Sequence, residues 1–501
     1  MAWQRMFTDE QLEVWATPLS IRLERATDPL DGEEIERIRD QMDMECLAIY
    51  DAYVNWVGVL QTFLLHRGGQ AMHDEALRWA AEFGLRPAVR RLVEMPFRER
   101  VEALSRRLRG AGSTFTVEED AERVRFRLDA WGGATRLWRA PEAWQSEGLP
   151  RHREGDRYRY PSYGAYGPPT SFAWLEGRRA LTQGRDRLPA FFATEVLFLE
   201  EMPIELAGAP LAVVTIPETA EGHAMLDVVK DAGSLPASVY ERVGTVQPAA
   251  PLVAEQRTRV FSDEELARMG VPLSLQVEAA AAAGDRSRLL EIAAGMDVEL
   301  VGAKDPLGVV IAGLLSWIAR HLGEAAVEDA LVDTAEVVMT PFVDAVRGLR
   351  IEDSTPLWAM VWRSHGSTFW IEEHEETVVF RGRPLGACHR MWSHAYQPEV
   401  ERISESRVRY PTFGCYDPPA SFHLMREPRG ITHGKVGYPV YSCHCHMLHE
   451  IFPIDHLGHP LWVELHPVDD RDGETVHIHY KDPAAWPARY YEQVGRVKPE
   501  T

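Results

Sequence analysis

Tyr160–Phe172 reads YPSYGAYGPPTSF, and Tyr410–Phe422 reads YPTFGCYDPPASF. The spacing of Tyr, Gly and Pro is kept while the positions between them change. A stretch this rich in Gly and Pro is loop or irregular chain, lined here with aromatics. Its return 250 positions later is the centre of a longer match. FTDEQL at Phe7–Leu12 returns as FSDEEL at Phe261–Leu266, and Pro18-Leu19-Ser20 as Pro272-Leu273-Ser274. Met42-Asp43 with Glu45 and Asp51 returns as Met296-Asp297 with Glu299 and Asp305, and GSTF at Gly112 returns at Gly366. These pairs are 254 apart. Downstream, Pro203-Ile204-Glu205 matches Pro453-Ile454-Asp455, and PASVYERVG from Pro236 matches PARYYEQVG from Pro487.

Matched spacing over this length predicts an internal tandem duplication of a unit of roughly 250 residues, too long a period for a solenoid. The expected domains are 1–250 and 255–501, joined through the Pro/Ala-rich stretch PAAPLVAEQRT at 248–258. Within each copy the first hundred or so residues read as helix. Glu33–His66 is periodic up to Gly68-Gly69, its counterpart stops at His321-Leu322-Gly323, and Ala71–Glu82 and Glu324–Val338 predict further helices. Thr114–Val117, Arg123–Leu128, Leu211–Ile216 and Leu461–Leu465 read as strands. The fold class expected is α+β: a helical part, then a mainly antiparallel part, with the two copies packed as an intrachain pseudo-dimer.

The 501 residues carry a formal charge of −22, which disfavours nucleic acid and anionic membrane surfaces as partners. The N-terminal residues MAWQRMFTDEQLEVWATPLS lack the pattern of a secretory signal. The most apolar stretch, Tyr53–Leu65, is too short to span a bilayer. Five cysteines are too few for a disulfide scaffold, so a soluble cytoplasmic protein with reduced thiols is expected.

The copies differ in chemistry. Four of the 19 histidines (His66, His73, His152, His223) precede residue 254, and four of the five cysteines (Cys388, Cys415, Cys443, Cys445) follow it. Cys443, His444, Cys445, His446 and His449 face Ala193, Thr194, Glu195, Val196 and Leu199. Cys388 and His389 face Ala134 and Thr135, and His433 faces Gln183, whereas Glu450 persists as Glu200. One copy holds a His/Cys set and the other supports it.

Thiolate and imidazole are the preferred ligands of zinc, iron and copper. The densest run is YSCHCHMLHE from Tyr441, between Pro439 and Pro453. On a helix Cys445 and His449, or His446 and His449, share a face; on a strand Cys443 and Cys445 do. The candidate metal ligands are therefore Cys443, Cys445, His446 and His449, with Cys388 completing the set. Glu450 is the nearest carboxylate and the candidate catalytic base or ligand orienter. His477 and His479, in VHIHY, fit a surface strand with both rings on one side. The acidic residues Glu45/Glu299 and Asp51/Asp305, set in apolar helices, call for buried partners such as Arg390 or a tyrosine.

No P-loop, dinucleotide fingerprint, GxSxG elbow or HExxH is present. The reading that follows is a metal-dependent enzyme acting on a small molecule. Zinc is the first metal by ligand type, iron or copper fits the same ligands, and haem with a Cys or His axial ligand stays open. Two alternatives remain: a non-catalytic metal-binding or metal-sensing protein, and a thiol-redox protein using the Cys443-x-Cys445 pair.

Overall fold

The computed structural model describes residues 5–133, 152–154, 157–159, 173–177, 180–219, 222–247, 258–383, 385–393, 397–412, 422–467 and 473–500. The loop Tyr160–Phe172, Cys415 and most of the expected 248–258 linker lie outside them. Helices and antiparallel sheets together make an α+β fold. No described helix is long and apolar enough to cross a membrane.

The chain forms two compact units. Unit 1 is Met1–Ile49, Leu273–Val301 and Leu315–Thr501; unit 2 is Tyr50–Pro272 and Gly302–Leu314. Each takes chain from both sides of residue 250.

Unit 2 is built on a four-stranded antiparallel sheet of Thr114–Glu119 (β1), Arg123–Ala130 (β2), Val213–Thr215 (β3) and Ala224–Val229 (β4), in the order β1-β2-β4-β3. Alternation places Phe126, Val214, Leu226 and Val228 on the buried face, each 1% exposed or less. Unit 1 has its own sheet of Phe369–Glu373 (β5), Thr377–Gly382 (β6), Val463–Leu465 (β7) and Thr475–Tyr480 (β8), in the order β5-β6-β8-β7.

In each unit the sheet's first strand ends in a buried glutamate that captures a segment from the other half of the sequence. In unit 1, Glu373 accepts from the amides of Met6 (2.8 Å) and Phe7 (3.0 Å) and pairs with Lys481 (2.7 Å). In unit 2, Glu119 accepts from the amides of Val260 (2.8 Å) and Phe261 (2.9 Å) and pairs with Lys230 (2.6 Å). The captured segments each open a helix through a capping box, Thr8 with Gln11 and Ser262 with Glu265.

The helical core of unit 1 brings matching positions together. Leu19 and Leu273, Leu23 and Val277, Ala26 and Ala280, Ile35 and Leu289, Ile38 and Ile292, and Met42 and Met296 all belong to one apolar cluster. Polar links sit beside it. Ser20 Oγ donates to Asp297 (2.6 Å), as does Tyr410 Oη (3.1 Å). The partner of Glu45 is Arg363, a residue the sequence did not single out, while the Arg390 guanidinium donates to the carbonyls of His365 and Gly366.

The run Gly32–Gly84 is two helices that meet at Gly69, where φ is +74° and ψ −168°, so the first helix stops where expected, at Gly68-Gly69. Its counterpart spans Arg286–His321, and the helix expected at Glu324–Val338 has those bounds.

Candidate metal centre

The Cys/His run is helical. Cys443–His446 enters a π turn at Met447–Ile451 and leaves as Phe452–Leu457. Unit 2 has the same device, Phe192–Val196, a π turn at Leu197–Glu201, then Met202–Ala207. A π turn carries one extra residue per turn and often marks a functional site. Its displaced carbonyl is used: His449 O accepts from Leu461 N (2.9 Å), as Leu199 O does from Leu211 N (2.9 Å). This bond ties the helix to the loop entering strand β7 in unit 1.

The strands facing that helix differ between the units. In unit 2 the cross-strand pair is Val214 with Leu226, and Leu226 is also opposite Phe126. At the same ladder positions unit 1 has Glu464 with His477, and His477 is opposite Phe380. Val228 opposite Val124 becomes His479 opposite Val378. Glu464, His477 and His479 are each 1% exposed or less. The surface strand expected for VHIHY is therefore a buried one; its histidines face Trp358, Trp362 and Trp462.

Two groups of metal-type ligands form in unit 1. The first is Cys388, Cys445 and Glu464, whose ligand atoms all lie within 4.8 Å of one another. Cys388 comes from the helix Gly386–Trp392, which starts at a glycine with φ +74° whose amide donates to Ser367 Oγ (2.8 Å). A Cβ there would sit 3.5 Å from Cys388 Sγ. The two Sγ atoms are 4.0 Å apart, and Cys388 Sγ is 3.9 Å from Glu464 Oε1. Zinc bonds of about 2.3 Å to sulfur and 2.1 Å to oxygen in a tetrahedron set ligand edges of about 3.6–3.8 Å, so the spacing is a few tenths of an ångström wide of an ion's shell.

Around this group lie polar atoms without hydrogen bonds among the described residues. They are Glu464 Oε2, both ring nitrogens of His477 and His479, Nδ1 of His449 and His466, and Nε1 of Trp462. His477 Nε2 lies 3.1 Å from Glu464 Oε2, near enough for an ion pair. Buried polar atoms are nearly always satisfied, so these atoms are where a water molecule or an ion would find partners. Burial pushes the Cys445 thiol well above its usual range, with the neighbouring Cys388 adding to it. Burial also drives the His444 imidazole down to about 4, leaving it neutral, with Nε2 3.5 Å from Cys445 Sγ. Burial alone would raise the Glu464 carboxyl, but His477 and the rings near it hold it well below the usual carboxylate range.

The second group is His433, His446 and Glu450. His433 Nε2 lies 2.9 Å from Glu450 Oε2 and His446 Nδ1 2.8 Å from Oε1. The outer nitrogens are engaged too, His446 Nε2 with Tyr438 Oη at 2.6 Å and His433 Nδ1 with the Gln493 amide. Burial would raise the Glu450 carboxyl, but the two imidazoles outweigh it and hold it below its usual value. The Glu464 amide donates to Glu450 Oε1 (3.2 Å), so Glu450 fixes the strand that presents Glu464.

The expected ligands thus divide. Cys388 and Cys445 meet; His446 and Glu450 meet in the other group. Cys443 turns its Sγ toward Pro439 O (3.7 Å), and the His449 ring lies 4.1 Å from that of Trp462. Sequence reasoning did not offer Glu464 or His433 as ligands and read His477 mainly as a surface residue. The available signal was alternation: Glu464 and His466 in WVELH match the apolar Val214 and Ile216 of the first copy. A cleft of about 610 Å³ lies elsewhere in unit 1, between the Arg5–Thr17 segment and strand β5, and shares no lining residue with either group.

Comparison with family models, with curated proteins and with solved structures finds no match to this chain.

Proposed function

We propose that the chain is a metal-dependent enzyme acting on a small molecule, with a transition-metal ion held by Cys388, Cys445 and Glu464. The observation carrying this reading is the convergence of these three ligand atoms beneath buried imidazoles that lack hydrogen bonds. Two thiolates and a carboxylate suit zinc first, and iron or copper next. Three protein ligands leave a coordination position for water or substrate. A bound ion of this kind polarises an oxygen or acidifies a bound water. His477, 3.1 Å from Glu464 Oε2, is the group placed to exchange a proton there. Glu450 acts by holding the Glu464 strand rather than by touching the reacting atoms.

The finer architecture belongs to the same proposal. Residues 1–250 and 255–501 are two copies of one unit packed as a pseudo-dimer, and the first copy is the support. The equal strand orders, the paired π turns, the reciprocal capture by Glu119 and Glu373, and the matched core positions support it.

A second reading is thiol chemistry without a metal, favoured by the 4.0 Å approach of Cys388 and Cys445. A disulfide substrate would take two electrons and two protons from this pair, not from Cys443 and Cys445.

Elemental mass spectrometry of the purified protein beside a Cys388→Ala/Cys445→Ala variant tests the assignment. Loss of one ion per chain in the variant is expected. Equal metal content in both overturns it, and activity that resists chelation but not alkylation selects the thiol reading.

A further inference from the structure

Glu450 has a counterpart in unit 2, Glu200, and the two carboxylates are held differently. Both are 0% exposed. Glu200 accepts from Val214 N (2.7 Å) and Gln183 Nε2 (3.0 Å), and its charge is met by the Arg242 guanidinium. Glu450 accepts from the amide at the same ladder place, Glu464 N, but the arginine is gone: Gln493 stands in the position of Arg242 in the repeated PAxxYExVG segment. Two imidazoles have come in its stead, His433 for Gln183 and His446 for Val196. The backbone is kept through the exchange. Gln183 (φ +53°) and His433 (φ +51°) are the two non-glycine residues with positive φ among the described residues.

The two imidazoles now offset the charge of Glu450, but an imidazole, unlike the guanidinium it replaces, carries no permanent charge. A buried carboxylate stripped of its guanidinium needs another cation. The geometry supplies a place for one. His433 Nε2 and His446 Nδ1 each face one oxygen of the same carboxylate at 2.9 and 2.8 Å. Ion–ligand bonds of about 2.1 Å at right angles set ligand edges of about 3.0 Å. The two rings converge, with centroids 3.4 Å apart. The outer nitrogen of His446 faces Tyr438 Oη, an acceptor of the kind metal-bound histidines use, while that of His433 faces the Gln493 side-chain nitrogen, whose amide must turn its oxygen inward when His433 binds a metal through Nε2.

We propose that His433, His446 and Glu450 form a second metal site, a two-histidine, one-carboxylate face for a divalent first-row ion such as Fe(II), Mn(II) or Zn(II). It is distinct from the thiolate centre and does not depend on it. Ligands of this kind gathered on one side leave the other side of the ion open.

The test copies unit 2 into unit 1. The variant His433→Gln/His446→Val/Gln493→Arg installs the Gln, Val and Arg that already pack around Glu200. Wild type, this triple variant and Cys388→Ala/Cys445→Ala are each loaded anaerobically with Fe(II) or Zn(II), desalted and counted by elemental mass spectrometry. The expected counts are two ions per chain in wild type and one in each variant. A triple variant that keeps the wild-type count overturns the second site and leaves the thiolate centre standing. An ion lost from the triple variant but not from the cysteine variant keeps this site and removes the other. If the triple variant fails to fold, His433→Gln alone serves: a tenfold or greater weakening of one of two binding steps is expected, and two unchanged steps overturn the proposal.

Discussion

His477 occupies in one sheet the ladder position that Leu226 occupies in the other: each is opposite a phenylalanine, Phe380 or Phe126, and each is 1% exposed. The imidazole faces a charge there: its Nε2 lies 3.1 Å from Glu464 Oε2, and against the upward pull of burial it is the main group holding that carboxyl below the usual range. Removing one partner of a buried ion pair costs about 3–5 kcal/mol. His477→Leu should therefore destabilise the metal-free protein by about 2–4 kcal/mol, the burial of the leucine offsetting part of the loss, and weaken zinc retention by about 10–100-fold. Thermal unfolding of chelator-treated protein, with and without added zinc, reads both. A variant as stable as wild type without metal and unchanged in zinc binding would return His477 to the core.

Cys443 separates the geometric account from one based on sequence density. It sits in the middle of the Cys/His run, but its Sγ approaches Pro439 O while Cys445 faces Cys388. Cys443→Ala should leave metal content and affinity at the wild-type level. Cys445→Ala and Cys388→Ala should each remove the same single ion. Metal loss in Cys443→Ala equal to that in Cys445→Ala would mean the helix presents its ligands otherwise.

Much of this fold can be read in the sequence, and the reasons are local. Glu324–Val338 is bounded by Gly323 and has a clear apolar period, so both ends were legible. Strands β1 and β2 flank a polar turn and alternate, so they were legible as well. The site was legible in part. The concentration of His and Cys after residue 254 pointed to Cys445 and to Cys388, which the structure brings together, because these residue types stand out against a copy that lacks them. The π turn was not legible, since no residue type encodes one, and it changes which residues share a face after Met447. Glu464 and His477 were not legible as buried residues because isolated polar residues in a strand read as its wet side. That the side is dry follows only from the helix Ile351–Ser364, which brings Trp358 and Trp362 against it.

Asp297 gives unit 1 a pH dependence away from the metal centre. Burial raises its carboxyl to about 6 from 3.8, against the hydrogen bonds from Ser20 and Tyr410, with Glu45 adding to the rise. A carboxyl that binds its proton more tightly when folded contributes stability that is full below the unfolded value. That contribution is lost as pH rises through the folded value, mainly between about pH 4 and 6. At 1.36 kcal/mol per unit the loss is about 3 kcal/mol. Asp297→Asn should flatten the stability profile across this window. Urea unfolding at pH 4.5, 5.5 and 7.5 checks it, and a slope identical to that of wild type would place the titration elsewhere.

The capture of Met6 and Phe7 by Glu373 gives the last prediction. Glu373 accepts from both amides, its side chain is 0% exposed, and Lys481 lies beside it at 2.7 Å. Removing one partner of a buried ion pair costs about 3–5 kcal/mol because the other is left uncompensated. Lys481 is 14% exposed, so part of that penalty is relieved by water and about 2–3 kcal/mol is expected for Glu373→Ala. The loss should not be spread evenly. With its anchor gone, the helix Asp9–Ala16 keeps its capping box but loses its tether to strand β5, so it opens before the rest of unit 1. Limited proteolysis should cut the Glu373→Ala chain first between Arg5 and Thr17, at a denaturant concentration where wild type is intact. Glu373→Gln, which keeps one accepting oxygen for a single amide and carries no charge for Lys481, should fall between them. Cleavage appearing first in the helix Ile351–Ser364 instead would show that Glu373 braces the sheet rather than the N-terminal segment.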